Sequence, residues 1–131
     1  MGSGGIYHCR VCGFRSGEIW FGCGFLGNSD NPTIRGMILD GEYGDTPKSI
    51  LESNQDAHFY ADSIAYRCRC GNFSSKGAVH IFSSEGKPLY RPSMNCGRCG
   101  KRMRAIRDPP GNQECPECGM PLDFELTVMW D

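Results

Sequence analysis

The stretch Cys96-Gly97-Arg98-Cys99 is followed, after 15 residues, by Cys115-Pro116-Glu117-Cys118. Two Cys-x-x-Cys turns at this spacing are typical of a zinc ribbon, in which a short antiparallel excursion separates two pairs of thiolate ligands. The spacing predicts that these four cysteines bind one metal ion. It also decides the fold, because a segment of about 40 residues rarely folds on hydrophobic burial alone and needs its metal.

Two further cysteine pairs lie upstream. Cys9 and Cys12 form a third Cys-x-x-Cys turn, and Cys68 and Cys70 form a Cys-x-Cys turn 55 residues later. We expect these four to bind a second ion, since closing 55 residues instead of 15 costs only about 1.2 kcal/mol more. Zinc binding in finger peptides contributes about 10 to 16 kcal/mol. An alternative pairing stays open, in which the two middle pairs share one ion and the two outer pairs share the other.

The chemistry of these pairs indicates structural metal sites. A glycine follows every pair directly, and glycine readily adopts the backbone conformation that a metal-binding turn requires; these are Gly13, Gly71, Gly100 and Gly119. Four thiolates complete a tetrahedral shell and leave no position for water or substrate. We expect two zinc ions per chain, with iron in a rubredoxin-like arrangement as the rival. His8 and His80 could replace a sulfur but are interpreted as ordinary polar groups.

Composition limits the class of protein. The chain has 131 residues, 39% of them hydrophobic, and nine cysteines, which suits one modest domain or two small ones and excludes a large enzyme. The first ten residues carry no secretory or acylation signal. The longest apolar stretch, residues 19–26, is too short for a membrane span. We therefore expect a cytoplasmic protein without membrane contact, in which reduced cysteines bind metal rather than form disulfides.

The sequence pattern predicts a small, metal-stabilised α+β fold that is mostly antiparallel β. Strand signals occur at residues 6–9, 18–25, 63–68, 78–82, 102–107 and 123–130. Two short helices are predicted to begin at Asn31-Pro32 and Thr46-Pro47, within an insertion over about residues 31–56. Two prolines mark residues 86–92 as a linker. The predicted domains are thus an N-terminal zinc ribbon with the helical insertion, residues 1–86, and a C-terminal zinc ribbon, residues 87–131.

A family resemblance agrees with this architecture. The chain contains, in this order, Tyr7-His8-Cys9-x-x-Cys12-Gly13, the glycine and aromatic run at residues 20–25, Gly41-Glu42-Tyr43-Gly44, Cys68-x-Cys70-Gly71-Asn72 and the two last Cys-x-x-Cys turns. In this order of motifs it resembles uncharacterised double zinc-ribbon proteins of Firmicutes-type bacteria. The resemblance covers nearly the whole chain. It implies two zinc-ribbon modules and supplies no activity.

No motif indicates catalysis. Cys23 lies between glycines but has no local cation to lower its pKa, so we interpret it as a buried apolar residue. His58, between Asp56 and Asp62, is interpreted as part of a solvated loop. No phosphate loop, nucleophile elbow or metalloprotease helix is present in the sequence. We therefore predict a protein that is not an enzyme.

A basic block supports nucleic-acid binding as the alternative function. Residues 86–107 carry seven Lys and Arg and no acid, whereas residues 108–131 carry six acids. In a C-terminal ribbon, Arg102, Arg104 and Arg107 would pair across strands with Asp123 and Glu125. This pairing predicts weak nucleic-acid binding, with a dissociation constant no tighter than about 10⁻⁵ M and a shallow salt dependence.

A protein-interaction adaptor is accordingly the predicted function. The edge of the last strand is the predicted surface for a protein partner or a second copy, because Leu126, Val128 and Trp130 share one face.

Overall fold

The computed structural model describes residues 2–22, 29–107 and 111–130. In chain order the elements are β1 (Gly2–His8), β2 (Ile19–Gly22), α1 (Pro32–Leu39), α2 (Asp45–Ser53), β3 (His58–Arg67), β4 (Phe73–Phe82), β5 (Pro88–Tyr90), β6 (Arg104–Ala105) and β7 (Asp123–Trp130). Strand pairing is antiparallel. The predicted class, a small and mostly antiparallel α+β fold with two short helices, is confirmed.

The chain divides into two compact units. The first comprises Met1–Gly22, Ser63–Lys76 and Ser93–Asp131, and the second comprises Cys23–Asp62 and Gly77–Pro92. Strands β3 and β4 each contribute residues to both units.

The first unit is a sheet with the strand order β4-β3-β2-β1-β7, and β6 pairs with β3 outside this path. The two ends of the chain meet here, because β1 and β7 pair from Gly2↔Trp130 to His8↔Asp123. This unit contains one buried cluster formed by Tyr7, Cys9, Ile19, Phe21, Ala65, Phe73, Ile106, Cys115 and Leu122. A second one contains Tyr66, Cys68, Cys96 and Met103. Each cluster thus includes cysteine side chains.

The second unit packs the two helices on β3 and β4. Asn31 caps α1 by accepting hydrogen bonds from the backbone N–H groups of Thr33 and Ile34, and Pro32 stands at the first turn, where no N–H is needed. The apolar side of the helices contacts one face of the strands, and the buried set is Ile34, Ile38, Leu51, Ala57, Phe59, Ala61, Val79 and Ile81.

The structure divides the chain differently from the predicted boundary after residue 86. The proline-containing segment forms β5, which pairs with β4 through Ile81↔Tyr90 and Phe82↔Pro88. Proline is compatible with this position because β5 ends the strand order, so the missing N–H of Pro88 leaves no partner strand unsatisfied. The same residues that indicate a linker therefore form an edge strand.

Candidate metal centres

Each cysteine pair lies on a tight turn that the following glycine closes. The N–H of Gly13, Gly71, Gly100 and Gly119 donates to the carbonyl of the first cysteine of its pair, at 2.8 to 3.1 Å. All four glycines have φ between +76° and +96°, where a side chain would be strained. The predicted role of these glycines is confirmed.

The eight sulfurs form two clusters, and each could hold a metal ion. The terminal cluster consists of Cys9, Cys12, Cys115 and Cys118, and the internal cluster consists of Cys68, Cys70, Cys96 and Cys99. Within each cluster the sulfurs lie within 4.8 Å of one another. Neighbouring sulfurs from different turns are 3.5 Å apart in the terminal cluster and 3.4 to 3.7 Å apart in the internal cluster. Four sulfurs at about 2.3 Å from a tetrahedral zinc ion would be about 3.8 Å apart, so the thiols fit the ion.

The pairing differs from the one that the 15-residue spacing predicts. The turn at residues 96–99 shares its cluster with Cys68 and Cys70, and the turn at residues 115–118 shares its cluster with Cys9 and Cys12. The predicted combination of 9–12 with 68–70, and of 96–99 with 115–118, is wrong, and the alternative pairing is the one observed.

Strand pairing explains this outcome. The register His8↔Asp123 between β1 and β7 places the first cysteine turn beside the last one. Strand β6, which follows the turn at 96–99, pairs with β3 through Tyr66↔Ala105 and Arg67↔Arg104, so this turn lies beside Cys68. Closing the terminal cluster links residues 103 positions apart, which costs only about 1.7 kcal/mol more than a 15-residue closure.

Backbone N–H groups stabilise the thiolate form of particular cysteines. The N–H of Cys99 is the largest influence that lowers the pKa of Cys96, to about 6, and the Asn72 amide, 3.4 Å from the Cys96 sulfur, adds to it. In the terminal cluster the N–H of Cys12 lowers the pKa of Cys9 to about 7. Thiolate is the form that binds metal. The sequence pattern does not predict this role of Asn72, although Asn72 directly follows the Cys-x-Cys-Gly turn.

The two clusters meet through their turns. One cysteine of each pair is buried and the other is exposed. At Gly71, beside the internal cluster, an added Cβ would lie 2.7 Å from the Cβ of Pro116, which belongs to the terminal cluster. Because no side chain fits between them, the two turns are in direct backbone-to-ring contact.

The histidines do not join the described clusters. The Nε2–H of His80 donates a hydrogen bond to the Asp62 carboxylate at 3.0 Å, and the His80 ring stacks on Tyr60 with ring centroids 4.4 Å apart. His58 pairs with Asp30, not with the two aspartates near it in sequence. His8 lies at the end of β1. Cys23 lies outside the described residues.

A basic groove of about 1190 Å³ lies in the first unit, beside the internal cluster. Six cationic side chains and one carboxylate line it, and these are Arg67, Arg69, Lys101, Arg102, Arg104, Arg107 and Glu114. Arg67 and Arg104 are directly opposite each other on β3 and β6. The groove combines residues from three separate stretches, so only the folded chain brings these cations together.

The predicted pairing of this block with the acids of β7 is wrong. Asp123 forms a salt bridge with Arg10, and Glu125 forms one with Arg15 at 3.7 Å. Over residues 2–22, 29–107 and 111–130, no carboxylate lies within salt-bridge distance of the groove cations. The physical reason is again that β6 pairs with β3, whereas β7 pairs with β1.

Comparison with known proteins gives no relative: no protein-family model matches the chain, and neither a curated protein nor a solved structure matches it significantly. None of the described helices is long and apolar enough to cross a membrane.

Proposed function

We propose that the protein is a zinc protein of the cytoplasm whose two structural sites build a nucleic-acid-binding groove. All-thiolate tetrahedral sites favour zinc, with iron as the alternative metal. We expect native mass spectrometry to find two zinc ions per chain. We expect spectroscopy to find a colourless protein with no visible absorption. A red protein would replace zinc by iron.

The observation that carries the nucleic-acid proposal is the excess of cations in the groove, none of which forms a salt bridge within the described residues. Like charges directly opposite each other destabilise a strand pair, and Arg67 and Arg104 have this arrangement. A bound polyanion would remove the repulsion. The phosphate backbone is such a polyanion, and its neutralisation by Lys and Arg dominates nucleic-acid affinity.

Compensation of the metal-bound thiolates is the competing explanation for these cations. In the described part of the chain, however, the sulfur atoms accept hydrogen bonds from the Asn72 amide and from the N–H groups of Arg98 and Glu117. No guanidinium or ammonium group of the groove is bonded to a sulfur in these ranges. The structure therefore gives no direct contact between these cations and the thiolates, and we propose that the cations bind an external ligand.

We propose a binding role rather than catalysis, because four protein ligands at each metal leave no open position for a substrate.

Fluorescence anisotropy with the zinc-loaded chain tests the nucleic-acid proposal. We expect labelled RNA or DNA to bind with a dissociation constant of about 10⁻⁶ M at low salt and with a clear salt dependence. Arg104→Glu should weaken binding tenfold or more. Arg91→Glu, which makes the same charge change at an exposed residue of the second unit, is the matched control. Equal loss in both variants, or no binding by the native chain, would contradict the proposal.

A protein adaptor is the second candidate function, and the position of β7 favours it. This strand ends the strand order of the first unit, and Leu126 and Met129 on it are 51% and 61% exposed. An extended segment of a partner could add to this edge as a further strand. Val128 is half-buried, and the side chain of Trp130 lies outside the described residues. Affinity capture that depends on Leu126 and Met129 would support this candidate, and capture unaffected by Leu126→Ser would oppose it.

A further inference from the structure

One arginine of the groove is held in a fixed orientation by its neighbours. The guanidinium carbon of Arg67 lies 5.0 Å from the centroid of the Phe73 ring, and Nη1 donates to Oε1 of Gln113 at 3.2 Å. Phe73 is itself buried in the core of the first unit. The planar group therefore loses little further side-chain entropy when a ligand binds.

Arg67 is also part of the groove wall. Its guanidinium carbon lies over the Phe73 ring, and the residue lines the basic groove. A guanidinium plane is a surface on which an unpaired nucleobase can stack.

The cations around Arg67 suit the backbone of the same strand. Arg104 is its cross-strand neighbour, and the groove wall also includes Arg69, two residues after Arg67, and Arg102, two residues before Arg104. A positively charged groove that follows the backbone, combined with a stacking surface, is the arrangement that binds single strands.

The described part of the first unit has no structural element suited to binding a nucleic-acid duplex. Within its described residues this unit contains strands and turns but no helix that could enter a major groove. A concave groove also admits one strand more readily than a rigid double helix. In a duplex, moreover, the bases are already stacked on one another.

We infer that the groove binds single-stranded nucleic acid, with one base stacked on Arg67 and with Arg104, Arg102 and Arg69 contacting phosphates. This inference rests on the proposed nucleic-acid function and names its substrate class.

The test compares strands and variants by anisotropy over a salt series, using the zinc-loaded full chain. The probes are a labelled RNA of about 12 nucleotides, the same sequence as single-stranded DNA, and its duplex. We expect both single strands to bind about tenfold tighter than the duplex. Arg67→Lys keeps the charge but removes the plane, so it should weaken binding about fivefold or more at an unchanged salt slope.

If Arg104 contacts phosphate, Arg104→Gln should change the salt dependence of binding, in contrast to Arg67→Lys. It removes one charge, so it should lower the salt slope by about 0.7. Arg91→Gln, outside the groove, should change neither affinity nor slope. Metal content and circular dichroism of each variant show whether it is folded.

A crosslinking experiment on the native chain needs no variant. A single strand carrying 4-thiouridine should crosslink to peptides that contain residues 67–69 or 111–114, which line the groove.

Different failures have different meanings. Duplex binding that equals single-strand binding, native affinity in Arg67→Lys, or crosslinks confined to the second unit would overturn the single-strand inference while leaving nucleic-acid binding in place. No binding of any probe would overturn the proposed function itself. A glutamate-rich peptide that displaces RNA at equal charge would assign the groove to an acidic protein partner and overturn both.

Discussion

Gly71 shows how one residue holds the two cysteine clusters in contact. It combines a φ of +96° with a Cβ position only 2.7 Å from the Cβ of Pro116, and the proline ring cannot bend away as a flexible side chain would. Gly100 occupies the equivalent position after Cys99 with a φ of +76°, but no atom lies within 4 Å of its Cβ position. A comparison of substitutions at Gly71 and Gly100 therefore distinguishes the cost of backbone strain from the cost of a steric clash.

We predict that Gly71→Ala is clearly more destabilising than Gly100→Ala. Both variants pay about 1 to 2 kcal/mol for an alanine in the left-handed region, and Gly71→Ala adds about 1 to 3 kcal/mol for overpacking. Denaturant unfolding of the zinc-loaded variants measures the difference. Equal destabilisation would show that the contact between Gly71 and Pro116 carries no energy.

At the scale of elements, the pairing of β1 with β7 depends on the absence of side chains at Gly4 and Gly5. The register between the two strands shifts between Gly4 and Gly5. A Cβ at Gly5 would lie 2.3 Å from the carbonyl oxygen of Glu125 and 2.6 Å from the Phe124 ring. Because the nearest atom belongs to the backbone, β7 would have to move as a whole to admit a methyl group.

We therefore expect Gly5→Ala to destabilise the first unit by about 1 to 3 kcal/mol and to weaken metal binding at the terminal cluster before the internal one. Gly17→Ala is the control, because nothing lies within 4 Å of its Cβ position and its φ is not positive. Chelator competition followed by native mass spectrometry measures the order of metal loss. Loss from the internal cluster first would contradict the expectation.

The elements that the sequence predicts well are those with local signals. The predicted strand at residues 123–130 has the same bounds as β7, and the predicted Asn31-Pro32 helix start agrees with α1. The predicted strand at residues 102–107 shortens to Arg104–Ala105 in the structure. Its partner is β3, 37 to 39 residues away in sequence, and no local pattern encodes a pairing at such a distance.

The lack of local signals for long-range strand pairing also explains which features of the candidate sites could be predicted from the sequence. The eight cysteines and the glycines that follow them have local spacing signals, so the sequence alone identifies the cysteines as candidate metal ligands. Their distribution between two ions depends on which strands pair, and the 15-residue spacing favours the wrong partner. The groove is likewise invisible in the sequence, because Arg67 and Arg104 become neighbours only through β3 and β6.

For the whole molecule, the terminal cluster ties the first strand to the last one, and the internal cluster ties the middle segments together. This arrangement predicts which cysteine pairs fail together. In Cys9→Ser/Cys115→Ser both substitutions affect the terminal cluster, so we expect the chain to keep one zinc ion. In Cys9→Ser/Cys68→Ser each cluster loses a ligand, so we expect both ions to be lost or strongly weakened.

Native mass spectrometry with elemental analysis of the two double variants decides between the pairings. The pairing that the 15-residue spacing predicts requires the reverse result, with no zinc in Cys9→Ser/Cys115→Ser and one zinc in Cys9→Ser/Cys68→Ser. Cys96→Ser/Cys68→Ser provides a further check, because both substitutions lie in the internal cluster and should leave one ion. Since this variant keeps the terminal cluster and loses the support of the groove wall at Arg67 and Arg69, we expect it to retain one zinc ion and lose nucleic-acid binding.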